Sequence, residues 1–193
     1  MNGLECAFLH YFKPLMMHKL LQAGVKVPPL VFGNEYKGLS DFVQEDQVVY
    51  KPLSGGREVR LLSAGYLTRN RKGLSYEPIM LQRFVSGAGV RAYVVGGEVV
   101  GAVLITQSKG YVYNRFDATN ISPMELPEDV KRMCVTASKA VEMQFCSLDL
   151  IRDSGGEHYV IDCNDRAAFA AVEEKTGLPI SKKLAELLIR VGK

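Results

Sequence analysis

The first clear period along the chain runs from Lys13-Pro14 to Gly24, where Leu15, Met16, Leu20 and Leu21 recur at helical intervals. Proline suits the first turn of a helix and glycine its end, so a helix is expected there. Residues 25–32 then read as extended chain through Pro28-Pro29. A short β-branched and aromatic strand over 47–53, a turn at Ser54-Gly55-Gly56 and a resumed strand over 59–62 follow. Residues 79–85 form another apolar strand, and Ser86-Gly87-Ala88-Gly89 after it has the composition of a flexible joint. That joint sets the expected boundary between two lobes, 1–84 and 85–193. Beyond it, 91–95 and 98–105 flank Gly96-Gly97, the strongest hairpin signal in the chain, because two glycines accept the positive φ of a tight turn. Pro127-Glu128-Asp129 opens a helix with Val130, Met133, Cys134, Ala137, Ala140 and Val141 on one face. A last helix is expected from Ser181, with Leu184, Leu187, Leu188 and Val191 on its inner face.

Composition narrows the class. The chain has 193 residues, 47% apolar and 23% charged, which suits a globular protein with a real core. No apolar run approaches the roughly 18 residues that a membrane span requires. The first residues lack a basic stretch followed by an apolar one, so no secretory signal is read and a cytoplasmic protein is expected. Cys6, Cys134, Cys146 and Cys163 lack the spacing of a zinc site and read as free, buried thiols. The net charge of +3 is spread along the chain without a basic block, which argues against nucleic acid as a partner. His10, His18 and His158 match neither a metalloprotease nor a triad signature.

Chemistry concentrates between the last two helices, in two alternating strands around Gly155-Gly156. With those glycines as a two-residue turn, Asp149 falls directly opposite Asp162, and Asn164 follows on the same face. Facing carboxylates repel unless a cation lies between them, and Mg²⁺ or Mn²⁺ favours such a set of oxygen donors while leaving positions for phosphates. The alternative is a solvated sheet face. Lys51, at the end of a strand before Ser54, Gly55 and Gly56, can place a charge on a phosphate whose oxygens the glycine backbone approaches. The same lysine also reads as an exposed turn residue. Neither the GxxxxGK[ST] loop nor the GxGxxG fingerprint occurs.

In this order the pieces resemble the ATP-grasp superfamily, most closely its RimK-type carboxylate–amine ligases, from about Phe12 to Leu188. The resemblance implies an α+β fold: two small β-rich lobes with antiparallel sheets and flanking helices, the nucleotide held in the cleft between them. Lys13, with Gly24 ending its helix, matches the family's first ATP-binding lysine. Lys51 matches the second, in a segment similar to VVxKPLxGxxGRGV. Leu81-Gln82-Arg83-Phe84-Val85 resembles the linker whose backbone meets the adenine edge, and 96–103 is similar to VVGGKVVAAM. Asp149, Asp162 and Asn164 match the family's metal ligands, in segments that read VDL and E-x-N. Arg91 and Arg166 are then candidate anchors for an anionic substrate or an acyl phosphate, with solvated surface arginine as the bland reading.

The departures are specific. Asp162 is shorter than the usual glutamate. Gly89 stands where an acid commonly meets the ribose. The glycine loop after Lys51 is shortened, with Arg57 in it, and Thr106 and Gln107 replace a basic residue. The family's separate N-terminal domain has no counterpart ahead of Phe12. The resemblance implies ATP and Mg²⁺ (or Mn²⁺) as cofactors, a carboxylate and an amine as substrates, and an acyl phosphate between them. Two other readings stay open: a nucleotide-binding module that is degenerate or completed by a partner subunit or a second copy, and a small-molecule kinase.

Overall fold

In this computed structural model, residues 2–44, 47–53, 59–62, 64–74, 76–105 and 121–192 are described. Ser54, Gly55, Gly56, Arg57, Thr106 and Gln107 lie outside the described residues.

Two antiparallel sheets organise the chain. The first holds β1 (Leu30–Gly33), β2 (Val48–Pro52), β3 (Arg60–Leu62) and β4 (Ile79–Arg83) in the order β1-β4-β2-β3. Helices α3 (Tyr36–Gln44), α4 (Ala64–Arg69) and α5 (Arg71–Leu74) belong to the same stretch of chain. Leu39, Val43, Leu67 and Leu74 from these helices close a core against Val48, Leu62, Ile79 and Leu81.

The second sheet holds β5 (Gly87–Val95), β6 (Glu98–Ile105), β7 (Ile121–Met124), β8 (Phe145–Asp153) and β9 (His158–Asn164) in the order β7-β6-β5-β8-β9. Its two faces pack differently. Val90, Ala92, Val94, Leu148 and Leu150 face α6 (Glu128–Ala140), which contributes Val130, Cys134 and Ala137. The same core takes Cys6 and Leu9 from α1 (Leu4–Tyr11) and Met16, Met17 and Leu20 from α2 (Lys13–Gln22). The first two helices thus bury their apolar sides with the second sheet, although they precede the first in sequence. On the other face Tyr93, Val95 and Phe145 meet Val172 of α7 (Ala170–Thr176) and Leu187 of α8 (Ile180–Val191).

Three local expectations need correction. Gly87 to Gly89 is not a joint: it is strand, paired with Asp153, Arg152 and Ile151 of β8. A Cβ on Gly87 would stand 2.1 Å from the Arg152 carbonyl oxygen, so glycine serves close backbone approach there. Ser181 does not begin the last helix. Helix α8 starts one residue earlier, and the Glu173 carboxylate accepts from the Ser181 amide (3.1 Å) and hydroxyl (2.7 Å). Of its expected inner face, Leu184 and Leu187 pack while Leu188 and Val191 stay exposed. The turn at Gly155-Gly156 is longer than two residues and is taken up below.

The Gly96-Gly97 turn has φ of +59° and +83°, as its strands require. All four cysteines are free and buried. Among the described residues no helix is long and apolar enough to cross a membrane.

Candidate functional site

The β8–β9 hairpin is closed by an Asp153 turn. The Gly156 amide donates to the Asp153 carbonyl (3.1 Å), the Glu157 amide to the Asp153 carboxylate (2.9 Å), and Gly156 takes φ +86°. This longer turn pairs Arg152 with His158, Ile151 with Tyr159 and Leu150 with Val160. Continued unbroken, that register would offset Asp149 from Asp162. A bulge between Leu150 and Asp149 inserts Ile161 and brings Asp149 opposite Asp162, with Asn164 opposite Ser147. The expected facing carboxylates are present, through two departures from ideal geometry that cancel.

Both carboxylates are held by cations of the chain itself. Arg91 on β5, paired directly with Asp149 on β8, grips it with Nε at 2.6 Å from Oδ1 and Nη2 at 3.0 Å from Oδ2, and Asn164 Nδ2 donates to Oδ2 at 3.1 Å. Asp162 receives Lys13 Nζ at 2.8 Å on each oxygen, and the Cys163 amide donates to its Oδ1 at 3.0 Å. Burial raises the pKa of Asp149, and the Arg91 charge pulls it part of the way back. The solvated-face alternative therefore fails for Asp149, which is 5% exposed.

Lys51 is buried and not the exposed turn residue of the alternative reading. It extends from the first sheet and donates to the Ile161 carbonyl at 2.8 Å. The bulge takes Ile161 out of the β8 ladder, which leaves its carbonyl available to a partner from outside the sheet. Burial drives the Lys51 pKa down to about 8; Asp162 opposes the shift and Lys13 adds to it.

In the expected linker, Gln82 is 2% exposed and its Nε2 has no hydrogen-bond partner among the described residues. Such an orphaned donor is costly unless a ligand accepts from it. Gln82 lies on the face of β4 opposite the Arg83 side chain, whose guanidinium sits 4.3 Å over the Phe42 ring. The Arg83 amide donates to Pro29 O (2.8 Å) and the Phe84 amide to Gln47 O (2.9 Å), so these two donors serve the fold. Among the described residues the Val85 amide makes no such bond.

Arg166 is not brought into the cluster. Its side chain is 76% exposed, with Nε 3.8 Å from Asp165. Sequence reading missed Tyr93, fully buried beside Arg91 and donating to the Ala168 carbonyl at 3.1 Å. The one available signal was its position two residues after Arg91, on the same strand face. It also missed Ser147, opposite Asn164, whose buried Oγ has no partner among the described residues.

Among the described residues no cluster of three histidine, cysteine or acidic side chains forms a metal cage. Two carboxylates and an amide oxygen on one face are nevertheless the hard donor set that suits Mg²⁺ with open positions, so the residues fit the ion the sequence implies.

Two antiparallel sheets with flanking helices are the architecture that ATP-grasp ligases share with this chain. The model of the RimK-like ATP-grasp domain matches residues 13–188, and this chain belongs to that family. It is 25% identical over 182 residues to a probable alpha-L-glutamate ligase of Thioalkalivibrio sulfidiphilus (strain HL-EbGR7), covering 88% of this chain and 60% of that protein. It is 24% identical over 180 residues to N-acetylaspartylglutamate synthase A of Homo sapiens, covering 84% of this chain and 45% of that one. The chain thus spans three fifths or less of these two relatives. Among solved structures, ATP-grasp ligase PsnB with a minimal precursor superposes with a TM-score of 0.87 at 28% identity, over 100% of this chain and 63% of that one. PsnB with a phosphomimetic precursor variant, Mg and ADP gives 0.84 at 28% identity, over 100% and 62%.

Proposed function

We propose that this chain binds Mg-ATP and serves an ATP-dependent ligase that joins a carboxylate to an amine. The observation that carries the reading is the β8–β9 hairpin, where Asp149, Asp162 and Asn164 meet Arg91 and Lys13 while Lys51 reaches in from the other sheet. The relatives named as glutamate ligases, and PsnB solved with Mg and ADP, support it.

A carboxylate does not yield hydroxide to an amine at useful rates. In the proposed reaction a carboxylate oxygen bonds to the γ-phosphorus and the bond to ADP breaks. The amine then bonds to the acyl carbon, phosphate departs with the carbon–oxygen electron pair, and the amine loses a proton. Bound Mg²⁺, or Mn²⁺ in its place, supplies positive charge against the transferring phosphoryl group. Asp149, Asp162 and Asn164 would hold the ion. Lys13 and Lys51 would meet phosphate oxygens, which stabilises charge without moving protons. Gln82 Nε2 and the backbone at Phe84 and Val85, with Arg83 anchored beside them, would face the base. Ser54, Gly55 and Gly56, outside the described residues, remain proposed phosphate-binding residues. Arg91 and Arg166 remain the proposed anchors for an anionic substrate, with Arg91 already committed to Asp149. We place the protein in the cytoplasm, and the two lobes at 1–84 and 85–193, with α1 and α2 docked on the second.

Phosphate release measured over pooled carboxylates and amines tests the activity: release that needs both substrates supports a ligase. A kinase would release ADP with a hydroxyl acceptor and no amine. A nucleotide-binding module that works with a partner subunit or a second copy is the second reading, favoured by Gly89, which sits inside β5 between Ile105 and Ile151 with no acid to offer a ribose. Calorimetry with Mg-ATP separates them, since binding without turnover supports the module and absence of binding defeats both.

A further inference from the structure

We infer that Lys13 is a resident counter-ion that excludes a lone divalent cation from the hairpin, so that metal and nucleotide enter the site together. The inference rests on the reading of Asp149, Asp162 and Asn164 as metal ligands. It concerns what those ligands do before anything binds.

Every carboxylate oxygen of the pair already has a donor. Asp149 Oδ1 takes Arg91 Nε, and its Oδ2 takes Arg91 Nη2 and Asn164. Asp162 Oδ1 takes Lys13 and the Cys163 amide, and its Oδ2 takes Lys13 again. Lys51 adds a third cation whose charge is felt by both Lys13 and Asp162. Three cations thus surround two anions. A divalent cation arriving alone meets ligands already neutralised and a local charge of the wrong sign, in a site where Lys13, Lys51 and Asp149 are 9%, 7% and 5% exposed.

A triphosphate reverses that balance by bringing anionic oxygens of its own. The two resident cations then differ in what they can do. Arg91 is a planar fork fixed on Asp149 by two bonds, on the same strand face as buried Tyr93. Lys13 is a point charge on a flexible four-carbon stem at the start of α2. The lysine is the group that can exchange a carboxylate for a phosphate. Asp162 is consequently the ligand that opens on nucleotide binding, and Asp149 the ligand that is fixed throughout.

The test is Mn²⁺ binding without nucleotide, read as loss of the free-ion electron paramagnetic resonance signal. Wild type is compared with Lys13→Gln and Lys13→Met, which remove the charge, and Lys13→Arg, which keeps it; thermal melting checks that each is folded. We expect the neutral variants to bind Mn²⁺ at least about tenfold more tightly than wild type, within the range of about 5–150-fold typical of coupled sites. Lys13→Arg should match wild type. The wild type alone supplies a further readout: Mn²⁺ must fail to bind where Mn²⁺ with the β,γ-imido analogue of ATP binds. Equal Mn²⁺ affinity in wild type and the neutral variants, or tight Mn²⁺ binding by wild type alone, overturns the inference. Calorimetry of wild type with Mg-ATP reports separately on the underlying reading: metal-dependent nucleotide binding with equal Mn²⁺ affinities rejects only the counter-ion role, and its absence rejects both.

Discussion

Lys51 holds an ammonium almost wholly out of water against one carbonyl oxygen. Its pKa of about 8, against an ordinary 10.5, gives the pH dependence a definite sign. Below about pH 8 both the folded and unfolded chains carry the proton, and burying the charge costs its full amount. Between about 8 and 10.5 the unfolded chain holds the proton that the folded one has released, so stability attributable to Lys51 rises with pH. Urea midpoints of wild type should show that rise, and Lys51→Met should lack it. A phosphate on Lys51 favours the charged form, so Mg-ATP affinity should fall above pH 8. Lys51→Met should weaken Mg-ATP binding about 10–100-fold, the worth of one charge-assisted hydrogen bond. Asp149 and Arg91 behave as a buried pair, and breaking one leaves the other uncompensated. Asp149→Ala should cost about 3–5 kcal/mol in urea unfolding, with most of it recovered when Arg91→Met is added. The sequence named all of these side chains and assigned them to ligands. Their own pairings, Lys13 to Asp162 and Lys51 to Ile161, span 149 and 110 positions, and no local periodicity encodes contacts at such distances.

At the scale of elements, strands with glycine turns were the legible part because alternation and positive-φ glycines are local signals. Helix α1 was not legible: only Cys6 and Leu9 of its apolar residues are buried, while Leu4 and Phe8 face solvent, so the pattern shows no stripe. Glycine-rich composition misled at Gly87, where closeness to the Arg152 carbonyl and not freedom is the requirement. The two readings predict opposite signs. Gly87→Ala should destabilise by about 1–3 kcal/mol through forced backbone shifts, whereas in a flexible joint it would stabilise by about 0.4–1 kcal/mol. Chemical denaturation decides between them. Glu173 does for α8 what Ser181 was expected to do, so Glu173→Ala should cost about 0.5–2 kcal/mol, the usual range for a lost cap.

At the scale of the molecule, the cluster ties the two sheets together, since Lys51 comes from β2 and its acceptor from β9. A ligand held there should stabilise the folded chain as a whole. At one hundred times its dissociation constant, Mg-ATP should add about 2.7 kcal/mol to unfolding, and Asp162→Asn should lose most of that gain; melting with and without nucleotide measures it. Ile161 sets a counting rule for the same cluster. On β9 the core-facing residues are Val160 and Cys163, three positions apart where strict alternation would space them by two or four. Because Ile161 is bulged and not paired, the thiol and not the carboxylate lies on the apolar side. Deleting Ile161 should therefore remove the bulge and restore strict alternation, leaving Asp162 opposite Asp149 and Cys163 in the core, closed to a thiol reagent. Position, not length alone, governs the hairpin: loss of Ile161 should spare Mg-ATP binding, whereas deletion of Asp162 should place Ile161 opposite Asp149 and abolish it.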